Sequence, residues 1–170
     1  MLNVSKLFRN GVDDCYLNNL DLDQSEKDEL REARTIIRDK LRKTLPLILK
    51  ELVNQEFEVP RFFTQGSWAY KTINAPAQQF QQADLDDGCY LPLSYMQEIK
   101  KPSTAAEVFF KAVELSLEPL AKEQGWKLVT DKPTCTRLEI SHKAHIDIPL
   151  YAIPDEEFDK LNKAASLTMD

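Results

Sequence analysis

Cysteine is scarce in this chain. Cys15, Cys89 and Cys135 are odd in number and scattered, with no C-x-x-C pair. That excludes a disulfide framework and a cysteine zinc site, and reads as reduced thiols of a cytoplasmic protein. Long apolar runs are missing too: nothing approaches the roughly 20 residues that a membrane span needs. The N-terminus mixes Lys6, Arg9, Asp13 and Asp14 with short apolar patches, so no signal peptide is legible. Basic excess is also lacking. A net charge of −6 argues against nucleic acid as a partner, because a duplex-binding face needs a basic stripe to release counterions. Free nucleotides stay compatible, since a divalent cation and a few local cations neutralise them. Repeats and long linkers do not occur. The remaining material, 42% hydrophobic and 29% charged residues over 170 positions, suffices for one substantial core, so a single domain over residues 1–170 is expected.

From residue 24 to about 53, Leu30, Ala33, Ile37, Leu41, Leu45, Ile48 and Leu52 recur at helical spacing. Ser25 and Asp28 resemble a capping box at its start, and Pro46 is expected to kink or divide the helix. Such a helix packs on its own sheet more readily than on a heptad partner. A strand over 59–65 follows, then an irregular Gln-rich connection over 74–82, then a strand over 84–91. Thr104 and Glu107 form a capping box opening a second helix towards Gln124, with Phe109, Ala112, Leu115 and Leu120 for burial and Gly125 as its stop. Pro119 predicts a bend in it. Residues 126–130, 134–140 and 144–151 read as three short strands, the last two joined through Ser141, His142 and Lys143. A third helix is expected after Pro154, carrying Phe158, Leu161 and Ala164. Together these elements predict an α+β fold, a mixed sheet flanked by helices.

The chemistry lies in two places. Gln65-Gly66-Ser67 is a turn just upstream of Asp84-Leu85-Asp86-Asp87-Gly88. Alternate residues of a strand share a face, so Asp84 and Asp86 project together with Cα atoms about 6.5–7 Å apart. Carboxylates at that spacing can bridge two Mg²⁺ ions about 3.5–4 Å apart, the separation that clamps the attacking and leaving oxygens of a phosphoryl displacement. Mn²⁺ is the substitute ion. Asp147 is the candidate third acid, because Ile146, Ile148 and Leu150 alternate onto the other face of its strand. Its strand must then neighbour that of Asp84. Gly66 lets the backbone turn and approach a triphosphate, and Ser67 offers a hydroxyl and an amide at the start of a short helix.

These residues resemble a known family. Pro60 to Tyr70, Asp84 to Gly88, Thr134 to Arg137 and His145 to Pro154 are similar to the cGAS/DncV-like nucleotidyltransferases, in particular the bacterial dinucleotide cyclase branch, over about residues 23–158. The resemblance implies a DNA polymerase β-type palm that joins ATP and GTP into a cyclic dinucleotide of the 3′,3′-cGAMP kind. That signal would act in antiphage defence (CBASS) through a downstream effector. It implies Asp84, Asp86 and Asp147 as catalytic and metal-binding residues, and Gln65, Gly66, Ser67, Tyr70 and Arg137 as nucleotide-binding residues. Asp87 departs from the wider superfamily, which usually has an apolar residue there. Family members carry a helical lobe after the palm. With that lobe absent, the chain alone is expected to bind Mg²⁺-nucleotide weakly and to make no cyclic product. A non-cyclising nucleotidyltransferase acting on a protein or small molecule, and a silent nucleotide-binding fragment, are the other readings of the same triad.

Several residues carry two readings. Arg137 faces the nucleotide or forms a salt bridge with Glu139 or Asp147. Tyr70 stacks on a base or packs in the core. His145 shares a strand face with Asp147 and is a metal ligand or, as expected for Mg²⁺ with its preference for oxygen, an exposed sheet histidine. Trp68 and Trp126 are assigned to packing. Lys71, Lys100 and Lys101 meet triphosphate charge or are solvated.

Overall fold

A computed structural model describes residues 20–76, 78, 80–94, 102–130 and 132–167. Among them the element order is α1 (Gln24–Val53), β1 (Arg61–Gln65), α2 (Gly66–Ala69), β2 (Ala83–Pro92), α3 (Pro102–Gln124), β3 (Lys127–Val129), β4 (Cys135–Glu139), β5 (Ala144–Ile153) and α4 (Asp155–Leu167). Cys15, Lys100 and Lys101 lie outside the described residues.

α1 forms because Leu30, Ala33, Ile37, Leu41, Leu45 and Leu49 fall on one buried stripe. Its capping box is not the expected Ser25 and Asp28. Asp23 Oδ1 accepts from the Glu26 amide at 2.9 Å, and Glu26 accepts from the Asp23 amide at 3.4 Å. A glutamate is long enough to reach back over the first turn. The shorter Asp28 instead accepts from Gln24 Nε2 at 2.8 Å. The helix also continues through Pro46. Leu45 and Leu49, nearly inaccessible to solvent, anchor the turns on both sides, and their burial outweighs the roughly 3 kcal/mol that an interior proline costs. Beyond Pro46 the buried stripe runs through Leu49, whereas Leu52 of the expected face is 47% exposed. Asn54, with φ 57°, closes the helix in the left-handed conformation.

α3 starts two residues before its predicted box, at Pro102, where a missing N–H costs nothing. Its core residues are Phe109, Ala112, Val113, Leu117, Leu120 and Ala121, while Leu115, expected inside, is exposed. Gly125, at φ 69°, ends it as expected.

The strands form one sheet in the order β1-β2-β5-β4-β3. β2 and β5 run parallel, and the other pairs are antiparallel. One face carries Phe62, Leu85, Cys89, Leu91, Ile146, Ile148 and Leu138 and merges with the apolar stripes of α1 and α3 into a single core. α1 therefore packs within its own chain, as expected. Trp68 and Trp126 pack at the margin of this core, with the Arg31 guanidinium 5.5 Å from the Trp68 ring centroid. Cys89 and Cys135 are free and buried, and burial pushes the Cys89 thiol pKa far up.

A polar cluster crosses the helix-covered face, with Arg34 and Arg38 of α1 each donating to Thr64 Oγ1 at 3.0 Å. Arg38 on α1 grips Asp87 with Nε–Oδ2 at 2.7 Å and Nη2–Oδ1 at 2.5 Å. Thr64 Oγ1 donates to the same carboxylate at 3.1 Å. The polar residue that breaks the superfamily pattern is thus 1% exposed and paired, and its partner ties β2 to α1.

Candidate active site

The opposite face of the sheet carries Gln65 on β1, Asp84, Asp86, Gly88 and Tyr90 on β2, His145, Asp147 and Tyr151 on β5, and Cys135, Arg137 and Glu139 on β4. Register places Asp86 opposite Asp147, Asp84 opposite His145 and Gln65 opposite Asp86. Two parallel strands thus bring the three expected carboxylates onto one face, a consequence of period-two alternation and of β5 lying beside β2. A cleft of about 520 Å³ opens there, lined among others by Gln65, Gly66, Asp86, Cys135, Asp147 and Tyr151.

The three acids differ electrostatically. Asp147 is 9% exposed, and burial alone raises a carboxyl pKa. Arg137 outweighs that effect, donating from Nε to Oδ1 at 2.5 Å and from Nη2 to Oδ2 at 2.7 Å, so the Asp147 pKa lies below its ordinary value. The same contact raises that of Arg137. Asp86 moves the other way: burial first, then the charges of Asp84 and Asp147, raise its pKa. Asp84 Oδ1 is buried without a hydrogen-bond partner, although it lies 3.0 Å from His145 Nε2. The separation suits a hydrogen bond but the direction does not. An unsatisfied carboxylate oxygen beside two more carboxylates, in an all-oxygen triad, fits a hard divalent cation. Arg137 leaves this open at Asp147, because each carboxylate oxygen keeps a second lone pair.

His145 corrects an expectation. It is 6% exposed, not an exposed sheet residue, because Gln82 and the two acids enclose it: Nδ1 lies 3.0 Å from Gln82 Oε1. Asp84, His145 and Asp147 present ligand atoms within 4.8 Å of one another.

Gly66 has φ 59°, and a Cβ built there would fall 2.2 Å from Asp86 Oδ2. Both the left-handed turn and the approach of the carboxylate to the backbone require glycine. Gln65 is held by two phenols: its Nε2 donates to Tyr90 Oη, and Tyr151 Oη donates to its Oε1 at 3.1 Å. The tyrosine rings stack with centroids 4.8 Å apart. Ser67 is the second residue of α2, next to β2, its Oγ 3.5 Å from the Asp84 carbonyl. Tyr70 is 80% exposed, which excludes core packing. Of its two readings, Arg137 here makes the salt bridge, and with Asp147. Glu139 pairs with Lys127 at 3.0 Å.

A family model described as cyclic GMP-AMP synthase DncV-like, nucleotidyltransferase domain, matches residues 60–151. The chain belongs to this family. Curated relatives include the cyclic GMP-AMP synthase of Escherichia coli, 43% identical over 62% of this chain and 24% of the relative. That of Vibrio cholerae serotype O1 is 44% identical over 59% and 23%. Among solved structures, the Vibrio cholerae di-nucleotide cyclase DncV in complex with GTP and 5MTHFGLU2 superposes with a TM-score of 0.72 at 28% identity, covering 91% of this chain and 52% of that one. DncV in complex with the linear intermediate 5′ pppA(3′,5′)pG gives 0.73 at 28% identity, over 95% and 52%. The chain thus spans about a quarter of these curated relatives and about half of these solved chains. Its fold is the DncV-like nucleotidyltransferase palm, the α+β mixed sheet flanked by helices that was expected.

Gln82, Tyr90 and Tyr151 escaped the reading of this DncV-like domain from sequence. The two tyrosines had a signal: they follow Asp86 and Asp147 by four residues, so strand alternation already puts them on the site face. Among the described residues no helix is long and apolar enough to cross a membrane.

Proposed function

We propose that this domain carries the two-metal nucleotidyl-transfer site of an enzyme that joins ATP and GTP into a cyclic dinucleotide of the 3′,3′-cGAMP kind, which signals in antiphage defence through an effector. The carrying observation is the register of Asp86 against Asp147 on adjacent parallel strands, with Asp84 one pleat away and the Gly66 turn against Asp86. The names of the relatives support the substrates: they are cyclic GMP-AMP synthases, and a DncV mutant was solved with ATP and GTP.

In this reading Asp84 and Asp86 would hold both Mg²⁺ ions, with Asp147 a ligand of one. Bound there, the ions would lower the pKa of the acceptor 3′-hydroxyl and neutralise the triphosphate. Asp147, kept ionised by Arg137, faces the hydroxyl and receives its proton. Gly66 and Ser67 offer backbone and hydroxyl contacts to the phosphates, Gln65 is fixed beside them by Tyr90 and Tyr151, and Tyr70 presents an aromatic face to a base. Positioning and charge stabilisation then supply the rate.

Equilibrium titration with ATP and with GTP tests the reading. Affinity should require divalent metal and fall at least tenfold in Asp86→Asn. Binding of equal strength in chelator, or indifference to that substitution, would contradict it. Product analysis from labelled ATP and GTP distinguishes a cyclic dinucleotide from transfer to a protein or small molecule.

A further inference from the structure

We propose that His145 is a metal ligand, its Nε2 joining Asp84 and Asp147 around one ion, so that this position prefers Mn²⁺ to Mg²⁺. The inference rests on the metal reading of the acidic cluster and adds to it a nitrogen donor and a preference between ions.

The tautomer of His145 follows from its neighbours. Gln82 Nε2 donates to the Ser141 carbonyl at 3.2 Å, which fixes the amide and turns its Oε1 to His145 Nδ1 at 3.0 Å. A carboxamide oxygen only accepts, so Nδ1 carries the proton and donates. In the neutral ring that leaves the Nε2 lone pair free. Nε2 lies among the acids, 3.0 Å from Asp84 Oδ1 and 4.0 Å from Asp147 Oδ1. Neither Nε2 nor Asp84 Oδ1 has a hydrogen-bond partner, although both atoms are buried. Two such atoms this close, both shielded from water, call for a positive charge between them, a proton or a metal ion, and the metal ion is what the neighbouring carboxylates add a reason for.

The arrangement suits one. Two donors each about 2.1 Å from an ion and at right angles to each other stand about 3.0 Å apart. A histidine whose second nitrogen donates to a fixed oxygen is the usual form of a metal-bound imidazole, because that hydrogen bond sets both tautomer and ring orientation. Gln82, itself tethered to Ser141, supplies it here. Mg²⁺ takes oxygen and keeps its waters, so an imidazole adds little to its binding. Mn²⁺ accepts carboxylate oxygen as Mg²⁺ does, but as the first and weakest-binding member of the first-row series it gains from a nitrogen donor where Mg²⁺ does not. Two carboxylates and one imidazole therefore shift the site towards Mn²⁺.

Binding of MnCl₂ and of MgCl₂ to the chain, with pulsed electron paramagnetic resonance of bound Mn²⁺, tests this without reference to turnover. The wild-type protein should show ¹⁴N modulation from a coordinated imidazole, a signal that needs no variant. His145→Gln should abolish that modulation and weaken Mn²⁺ at least tenfold while leaving Mg²⁺ within twofold. Gln82→Leu should weaken Mn²⁺ severalfold with Mg²⁺ unchanged. Bound Mn²⁺ without ¹⁴N modulation, or equal losses for both ions in His145→Gln, would overturn the assignment. Asp84→Asn and Asp147→Asn separate the two levels. If they lose Mn²⁺ while His145→Gln does not, the histidine assignment fails and the carboxylate site stands. If they retain Mn²⁺ at wild-type affinity, the metal reading of the cluster fails and this inference fails with it.

Discussion

Asp86 and Asp87 are consecutive on β2 and face opposite ways: Asp87 is clamped by Arg38 under α1, while Asp86 stands in the cleft against Gly66. One carboxylate has a positive partner and the other has two negative neighbours, so removing them should have opposite effects.

Asp87→Ala should destabilise the fold by about 3 kcal/mol, the low end of the cost of breaking a buried pair, because Arg38 keeps some access to water. Asp86→Ala in metal-free buffer should be neutral or mildly stabilising. Denaturant unfolding of both variants checks this, and a larger loss at Asp86 than at Asp87 would reverse the assignment of the two faces.

The pH dependence follows from the two shifted acids. Asp86 has a raised pKa in the folded state, so its contribution favours folding at low pH and is lost as pH rises through that raised value. Asp147 has a lowered pKa, so its contribution is present above the unfolded value of about 3.9 and is lost as pH falls towards the folded one. Without metal, Asp86→Asn should therefore gain stability relative to the wild type as pH increases from about 4. Arg137→Gln should lose stability at neutral pH and show a weaker acid transition. Unfolding midpoints from acid to neutral pH in chelator read both, and parallel curves for Asp86→Asn and wild type would contradict the shift.

Much of this arrangement is legible in the residues themselves. Strand alternation alone puts Asp84 with Asp86 and Asp147 away from Ile146 and Ile148, and the apolar stripe of α1 is visible from Leu30 to Leu45. What was not legible depends on contacts between distant segments. Arg38 looks like any charged helix residue until α1 is laid over β2. His145 looks exposed until Gln82 and Asp84 close around it. Pro46 is a break signal in isolation and is overruled by leucine burial on both sides. The Asp23 cap was missed because Ser25 offered a similar spacing two residues later.

Gly66→Ala should cost about 1–2 kcal/mol for its left-handed backbone and push the Asp86 carboxylate aside, lowering metal-dependent nucleotide affinity at least tenfold. Calorimetric titration with ATP and Mg²⁺ is the check, and unchanged affinity would show that Asp86 does not need its place against the turn.

Ser67→Ala should weaken nucleotide binding by about 1–2 kcal/mol, the scale of one hydrogen bond to a charged group, with metal binding unchanged. The same titration with ATP and GTP decides it, and equal affinities would remove this hydroxyl from the site.

The central claim, a two-metal centre on Asp84, Asp86 and Asp147, is tested most directly by counting Mn²⁺ bound with a nonhydrolysable nucleotide and measuring their magnetic coupling. The account predicts two ions per chain, exchange-coupled at a separation of about 3.5–4 Å, with the coupled pair lost in Asp84→Asn, Asp86→Asn and Asp147→Asn. A single uncoupled ion, or a pair that survives all three substitutions, would contradict it.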